Sequence, residues 1–242
     1  MNSVTPVNDE VRRNFYGRFK GHGITKAQKE LLKTELNDIS LKSVSVEDNP
    51  NRVPLDIESY FDNKPVWLEV GFGSGEHLIY QATCNPDVSF IGCEPYINGV
   101  VSFLGKVKRQ KIKNIFLYAG DVRDLFDVLP SNSLAKVFLL YPDPWPKRRH
   151  KRRRFVNPEY LIPLLRVMNE NAELRIATDI EDYFKHTKRE VLKLDFKLTK
   201  QNGDKFDLPW SDWFPTRYEK KAKLQNRRSY YATFEKKLIS IV

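Results

Sequence analysis

Val66-Trp67-Leu68-Glu69-Val70-Gly71-Phe72-Gly73-Ser74-Gly75 is an apolar run that ends in three alternating glycines. A short apolar stretch closed by glycine reads as a buried strand, Val66–Gly71, and Glu76–Cys84 behind it as a helix that Asn85-Pro86-Asp87 terminates. Working outward, the alternation repeats. Val88–Cys93 is a second strand, followed by a helix over Ile97–Gln110 with Val100, Val101, Leu104 and Val107 at helical spacing. Ile115–Ala119 is a third strand, with a short helix around Val122–Leu129, and Lys136–Tyr141 is a fourth. Asn157-Pro158 opens another helix, because proline suits the first helical position. Pro163 inside it predicts a kink. Leu174–Ala177 is a fifth strand with its helix at Glu181–Leu192, and Phe196–Leu198 and Tyr230–Glu235 complete the β structure.

Strands alternating with helices predict an α/β chain with a Rossmann-like, doubly wound architecture. The expected core is a mostly parallel seven-stranded sheet with helices on both faces. Near-continuous apolar strands agree, since such strands are covered on both sides. Ligands in this architecture lie beyond the carboxyl ends of the strands, so the residues just after each strand carry the functional reading.

The 242 residues are 40% hydrophobic, enough for one sizeable core. Residues 1–64 are expected to form a basic arm, a short helix near Ala27–Leu36 and a linker over Ser43–Asn63 with anchors such as Tyr60 and Phe61. Residues 65–242 are expected to form the main domain. Lys and Arg number 41 against 31 Asp and Glu, a net charge of +10, which points to a polyanionic partner. Two cysteines exclude a disulfide framework, and the four histidines show no ligand spacing, so no metal site is expected. No long apolar run and no apolar leader core are present, which predicts a cytoplasmic protein that does not enter the membrane.

The glycine loop decides between ligand classes. A phosphate-binding P-loop needs Gly-Lys-Ser/Thr, which is missing, and the dinucleotide pattern would want glycine where Glu76 stands. The pattern Glu69-x-Gly71-x-Gly73-x-Gly75 instead resembles the first motif of the S-adenosylmethionine-dependent methyltransferases. That cofactor has no phosphate and carries cationic groups, so an acid beside the loop, Glu69, makes chemical sense. Glu94 ends the second strand, where a carboxylate accepts ribose hydroxyls. Asp121 follows the third strand, at the adenine end by the same resemblance.

The fourth strand runs into Tyr141-Pro142-Asp143-Pro144-Trp145-Pro146, then Lys147 to Arg154. The prolines restrict Asp143, and Trp145 offers a face on which a base can stack. Lys147, Arg148, Arg149, Lys151, Arg152, Arg153 and Arg154 surround His150. Such a run is commonly a solvated face, but beside a ligand site it suits phosphate.

The chain closely resembles the bacterial tRNA (guanine-N7-)-methyltransferases. The matching segments are Glu69–Glu76, Pro142–His150, Glu173–Asp179 and Thr216–Ala222, and the similarity runs from about Gly17 onward. It implies a cofactor site of Glu69, Gly71, Gly73, Gly75, Glu94, Asp121 and Asp143, with Asp143 as the catalytic acid. It implies substrate contacts at Lys147, Asp179, Thr216, Arg217, Tyr218 and Glu219, and RNA contacts at Arg149, His150, Lys151, Arg152, Arg153 and Arg154. The implied reaction moves a methyl group from S-adenosylmethionine to N7 of a variable-loop guanine in tRNA, by a monomer or homodimer. N7 has a free lone pair, so no general base is required. The chain departs from the family at Lys223–Asn226, where a glycine turn is expected; asparagine tolerates the positive φ that such a turn uses. Two alternatives stay open: a methyltransferase acting on exocyclic amines, and an RNA-binding protein without activity.

Overall fold

The computed structural model describes residues 13–199 and 206–238. Within them one sheet contains β1 (Val66–Val70), β2 (Ser89–Cys93), β3 (Ile115–Tyr118), β4 (Leu134–Leu140), β5 (Met168–Thr178), β6 (Phe196–Thr199) and β7 (Tyr230–Lys236). Their order is β3-β2-β1-β4-β5-β7-β6. β1 to β5 pair in parallel, and β7 runs antiparallel to both β5 and β6. The mostly parallel, doubly wound architecture expected from the sequence is what the chain adopts.

Period-two alternation sends the two sets of β1 side chains to different layers. Leu68 and Val70 face a cluster that includes α6 (Val122–Val128), α7 (Pro158–Val167) and α8 (Glu181–Val191). Trp67 faces a second cluster with α4 (Glu76–Cys84) and α5 (Ile97–Gln110). Glu69 therefore points toward α4, among apolar side chains, and its environment has to supply a partner. As predicted, Pro158 takes the first position of α7, behind an Asn157 cap, and Pro163 lies inside that helix.

Residues 26–61 pack more closely than a linker would. α1 (Lys26–Lys33) and α2 (Glu35–Ile39) break at Thr34 and place Leu32, Leu36 and Ile39 on the α5 layer. The Leu41 N–H donates to Leu117 O at 2.9 Å, which satisfies part of the β3 edge. Leu41, Val44, Leu55 and Phe61, the last on α3 (Ile57–Phe61), are all buried in the core. Polar spacing hides these anchors in the sequence.

Two further elements differ from expectation. β5 begins at Met168 rather than Leu174, through the polar stretch Asn169-Glu170-Asn171. α9 (Arg217–Leu224) is a helix that the sequence reading does not include. Its signal is present in Thr216-x-x-Glu219, a capping pattern in which the Glu219 N–H donates to Thr216 Oγ1 at 3.1 Å. The helix ends at Leu224, and Asn226 just beyond it has a φ of 52°, the left-handed region that glycine usually fills.

Candidate active site

The carboxyl ends of β1 to β4 open onto a cavity of about 660 Å³, a size that suits a nucleoside-bearing ligand. Gly71, Gly73, Glu94, Asp121, Asp143 and Trp145 are among its lining residues. Glycine is required on two counts at the loop. Gly75 has φ 74°, and a Cβ there would lie 2.1 Å from the Phe103 ring. On α5, a Cβ at Gly99 would lie 2.5 Å from the Gly73 carbonyl oxygen, so the helix can approach the loop only as glycine.

Glu94 pins this loop. Its carboxylate accepts the Gly73 N–H at 2.7 Å and the Tyr96 N–H at 2.8 Å. Burial pushes its carboxyl above the ordinary value, against those two bonds, and the charges of Asp143 and Glu69 push the same way. The three acids thus lie within electrostatic reach of one another, an arrangement suited to a cationic ligand.

Glu69 sits behind the loop, 3% exposed, and its Oε2 lies 2.7 Å from Nδ1 of the equally buried His77. The network assigns the tautomer. Gln81 Nε2 donates to Asp212 O at 2.7 Å and faces His77 Nε2 at 3.4 Å, so Nε2 accepts and Nδ1 donates to Glu69. The sequence alone gives His77 no role; its spacing of eight from Glu69 is set by the glycine loop. The pair opens onto a narrow recess shared with Ser74, Thr216, Arg217 and Tyr218, and this recess meets the main cavity at Gly71 and Arg217.

Asp121 lines the cavity but is not free. Its oxygens accept from the Arg123 guanidinium at 2.5 to 3.1 Å and from the Arg123 N–H at 3.0 Å, capping α6. Arg123 also bonds Glu159 and, at 3.2 Å, the Asn14 carbonyl, so one buried guanidinium ties β3, α7 and the N-terminal arm together. The arm crosses the cavity with Phe15, Tyr16, Gly17 and Arg18. It is further held by Arg13 on Asp127 and by Phe19 O accepting the Ile97 N–H.

The loop after β4 is locked from several sides. Tyr141 and Trp145 adopt φ values of 52° and 40°, an uncommon region for aromatic residues and one that concentrates at functional sites. The Tyr141 N–H donates to Ala177 O and its hydroxyl to Ser229 Oγ. Within this frame Asp143 is exposed toward the cavity, and no described residue hydrogen-bonds or ion-pairs with it.

The basic run divides by position. Arg154 is fully buried: Nε donates to Pro144 O at 2.9 Å, Nη2 meets Asp182 at 2.5 Å, and the guanidinium lies over Tyr183. It braces the Pro142–Pro146 loop from inside the protein, where the sequence reading has it on the RNA surface. Arg153 is stacked between Tyr16 and Trp145, at 4.8 and 5.0 Å from the ring centres. Lys151 pairs with Asp182, and His150 lies edge-on to Trp145. Lys147, Arg148, Arg149 and Arg152 are exposed and carry no ion pair among the described residues.

The expected substrate residues are likewise only partly assembled. Tyr218 and Arg217 line the cavity. Thr216 is buried as the α9 cap. Glu219 is 1% exposed, accepting from Trp213 Nε1 at 2.6 Å and pairing with Lys223 at 2.6 Å, so its carboxylate is already used. Asp179 is paired with Arg227 at 2.5 Å. Neither Asp179 nor Lys147 is among the residues lining the cavity.

A doubly wound sheet, a glycine loop backed by acids and a cavity at the strand ends make a nucleoside-cofactor site, and the chain's relatives place it among the methyltransferases. A family model described as "Putative methyltransferase" matches residues 63–232. The tRNA (guanine-N(7)-)-methyltransferase of Jannaschia sp. is 52% identical over 232 residues, which cover 96% of this chain and 98% of the relative. The enzyme of that name from Roseobacter denitrificans is 52% identical over 222 residues, 92% of this chain and 95% of the relative. The solved 16S rRNA methyltransferase KamB shares the fold, with a TM-score of 0.54 at 14% identity over 76% of this chain and 95% of that one. The chain belongs to the tRNA (guanine-N(7)-)-methyltransferase family.

Proposed function

We propose that the protein methylates N7 of a guanine in tRNA, the variable-loop guanine, with S-adenosylmethionine as donor and Asp143 as the catalytic carboxylate. It would act in the cytoplasm as a monomer or homodimer. The donor set fits the cofactor: Glu94 presents carboxylate lone pairs beside the loop, Glu69 and Asp143 add negative charge, and the cavity is large enough. When bound, the cofactor supplies an electrophilic methyl group on a cationic sulfur.

The carrying observation is the Asp143 carboxylate, unpaired among the described residues, held in a braced loop and lining the cavity. Guanine N7 needs no base to expose its lone pair, so the protein's task is alignment and charge stabilisation. Alignment can supply about 7–11 kcal/mol of barrier reduction. A fixed carboxylate favours the positive charge that develops on the ring, more in the transition state than before it. It can also accept from guanine N1–H and the exocyclic amine, which adenine cannot match. With Glu219 and Asp179 occupied by protein partners, Asp143 is the acid free to do this. Arg149 and Arg152 would meet phosphates.

The test is labelled methyl transfer to unmodified tRNA followed by nucleoside analysis. Label in 7-methylguanosine, abolished in Asp143→Ala while cofactor binding persists, is expected. Label in an exocyclic amine, or undiminished turnover in the variant, would overturn the assignment.

A further inference from the structure

We infer that Arg217 binds the α-carboxylate of the cofactor's amino-acid end, so that Arg217 and Glu69 together form a zwitterion site. The inference rests on the cofactor reading above and moves Arg217 from the RNA to the cofactor. An amino-acid zwitterion needs one anionic and one cationic partner a few ångströms apart. Glu69 supplies the first as buried negative charge at the narrow recess behind the glycine loop, with one oxygen already bonded to His77. Arg217 is the one arginine or lysine lining that recess among the described residues, and it lines the main cavity as well.

The three glycines do not take this role. In many nucleotide sites glycine-loop N–H groups cradle an anion. Here the Gly71 N–H donates to Cys93 O at 2.8 Å, the Gly73 N–H to Glu94 and the Gly75 N–H to Phe72 O at 2.9 Å. All three glycine donors are consumed by the protein itself, so the glycines offer an arriving carboxylate nothing and a side-chain donor gains weight.

Arg217 is aimed for that purpose. Thr216 caps α9 and leaves Arg217 at its first position, from which Nη1 reaches back to Ser74 Oγ at 3.0 Å. The guanidinium packs over the Tyr218 ring at 5.1 Å, and Tyr218 itself lies against Gly73. No acid among the described residues pairs with Arg217. A planar guanidinium with one donor committed to a neutral hydroxyl keeps others for a bidentate carboxylate contact.

The experiment is calorimetric binding of S-adenosylmethionine and of its decarboxylated analogue to the full chain, wild type and Arg217→Met. Wild type should prefer the carboxylate-bearing ligand. Arg217→Met should weaken S-adenosylmethionine by about 10- to 100-fold, the range for a charge-assisted contact, and leave the decarboxylated analogue within about twofold. Arg217→Lys should recover part of the loss. Equal weakening of both ligands would overturn the inference and make Arg217 a support of the loop. Unchanged cofactor binding with a weaker, less salt-dependent tRNA interaction would also overturn it, in favour of an RNA contact. Failure of the wild type to bind S-adenosylmethionine would instead overturn the cofactor reading on which it rests.

Discussion

Arg154→Ala tests whether the last arginine of the basic run is scaffold or RNA contact. The side chain is fully buried, with Nε on Pro144 O, Nη2 on Asp182 and the guanidinium 5.2 Å from the Tyr183 ring centre. The bond to Pro144, from a charged donor, is worth about 1.5–3 kcal/mol. Desolvated stacking on Tyr183 adds about 1–2 kcal/mol. The Asp182 side chain is 56% exposed, so screening limits that pair to at most about 1 kcal/mol. Nη1 is buried without a partner among the described residues, and deleting it returns about 1 kcal/mol. The net loss is about 3 kcal/mol, which lowers Tm by about 6–12 °C in a chain of this size. Thermal unfolding checks this directly, with Asp182→Asn as a milder companion costing about 1 kcal/mol or less. Turnover should fall with tRNA affinity largely retained, because the Pro142–Pro146 loop loses its brace. An unchanged Tm together with a shallower salt dependence of tRNA binding would instead place Arg154 on the RNA surface.

Arg149→Ala with Arg152→Ala should leave Tm unchanged and reduce the slope of log affinity against log salt by roughly 1.5 to 2, measured by filter binding. Cofactor affinity should decline as pH falls through the raised pKa of Glu94, since protonation removes the charge that favours a cationic ligand. Glu94→Gln should bind about tenfold more weakly at neutral pH and lose that pH dependence. Gly75→Ala combines a left-handed φ with a clash against Phe103 and should cost about 3 kcal/mol by thermal melt. Gly23→Ala, with no neighbour within 4 Å of the added carbon, should be silent.

Local chemistry makes much of the protein legible in its sequence. Apolar strands and glycine turns are short-range signals, so β1 to β4, the glycine loop and the α7 proline start can all be read directly. Glu94 and Asp143 are also readable, because residues immediately after parallel strands share one edge of the sheet whatever the loops do. The polar start of β5 and the buried anchors of residues 41–55 are not, since their burial depends on partners distant in sequence.

Charge identity follows from the sequence, but charge availability does not. A run of seven cations looks uniform until folding buries Arg154, stacks Arg153 and leaves Arg149 and Arg152 in water. Glu219 and Asp179 carry Trp213, Lys223 and Arg227 as partners, which the residue order alone does not show. A carboxylate's partners come from segments tens of residues away, and burial compels those pairings because an unpaired buried charge costs roughly several kcal/mol. The fold class, the family and the acids at the strand ends can thus be read from residue order. Which of those charges keep a free side in the folded chain depends on contacts between distant segments.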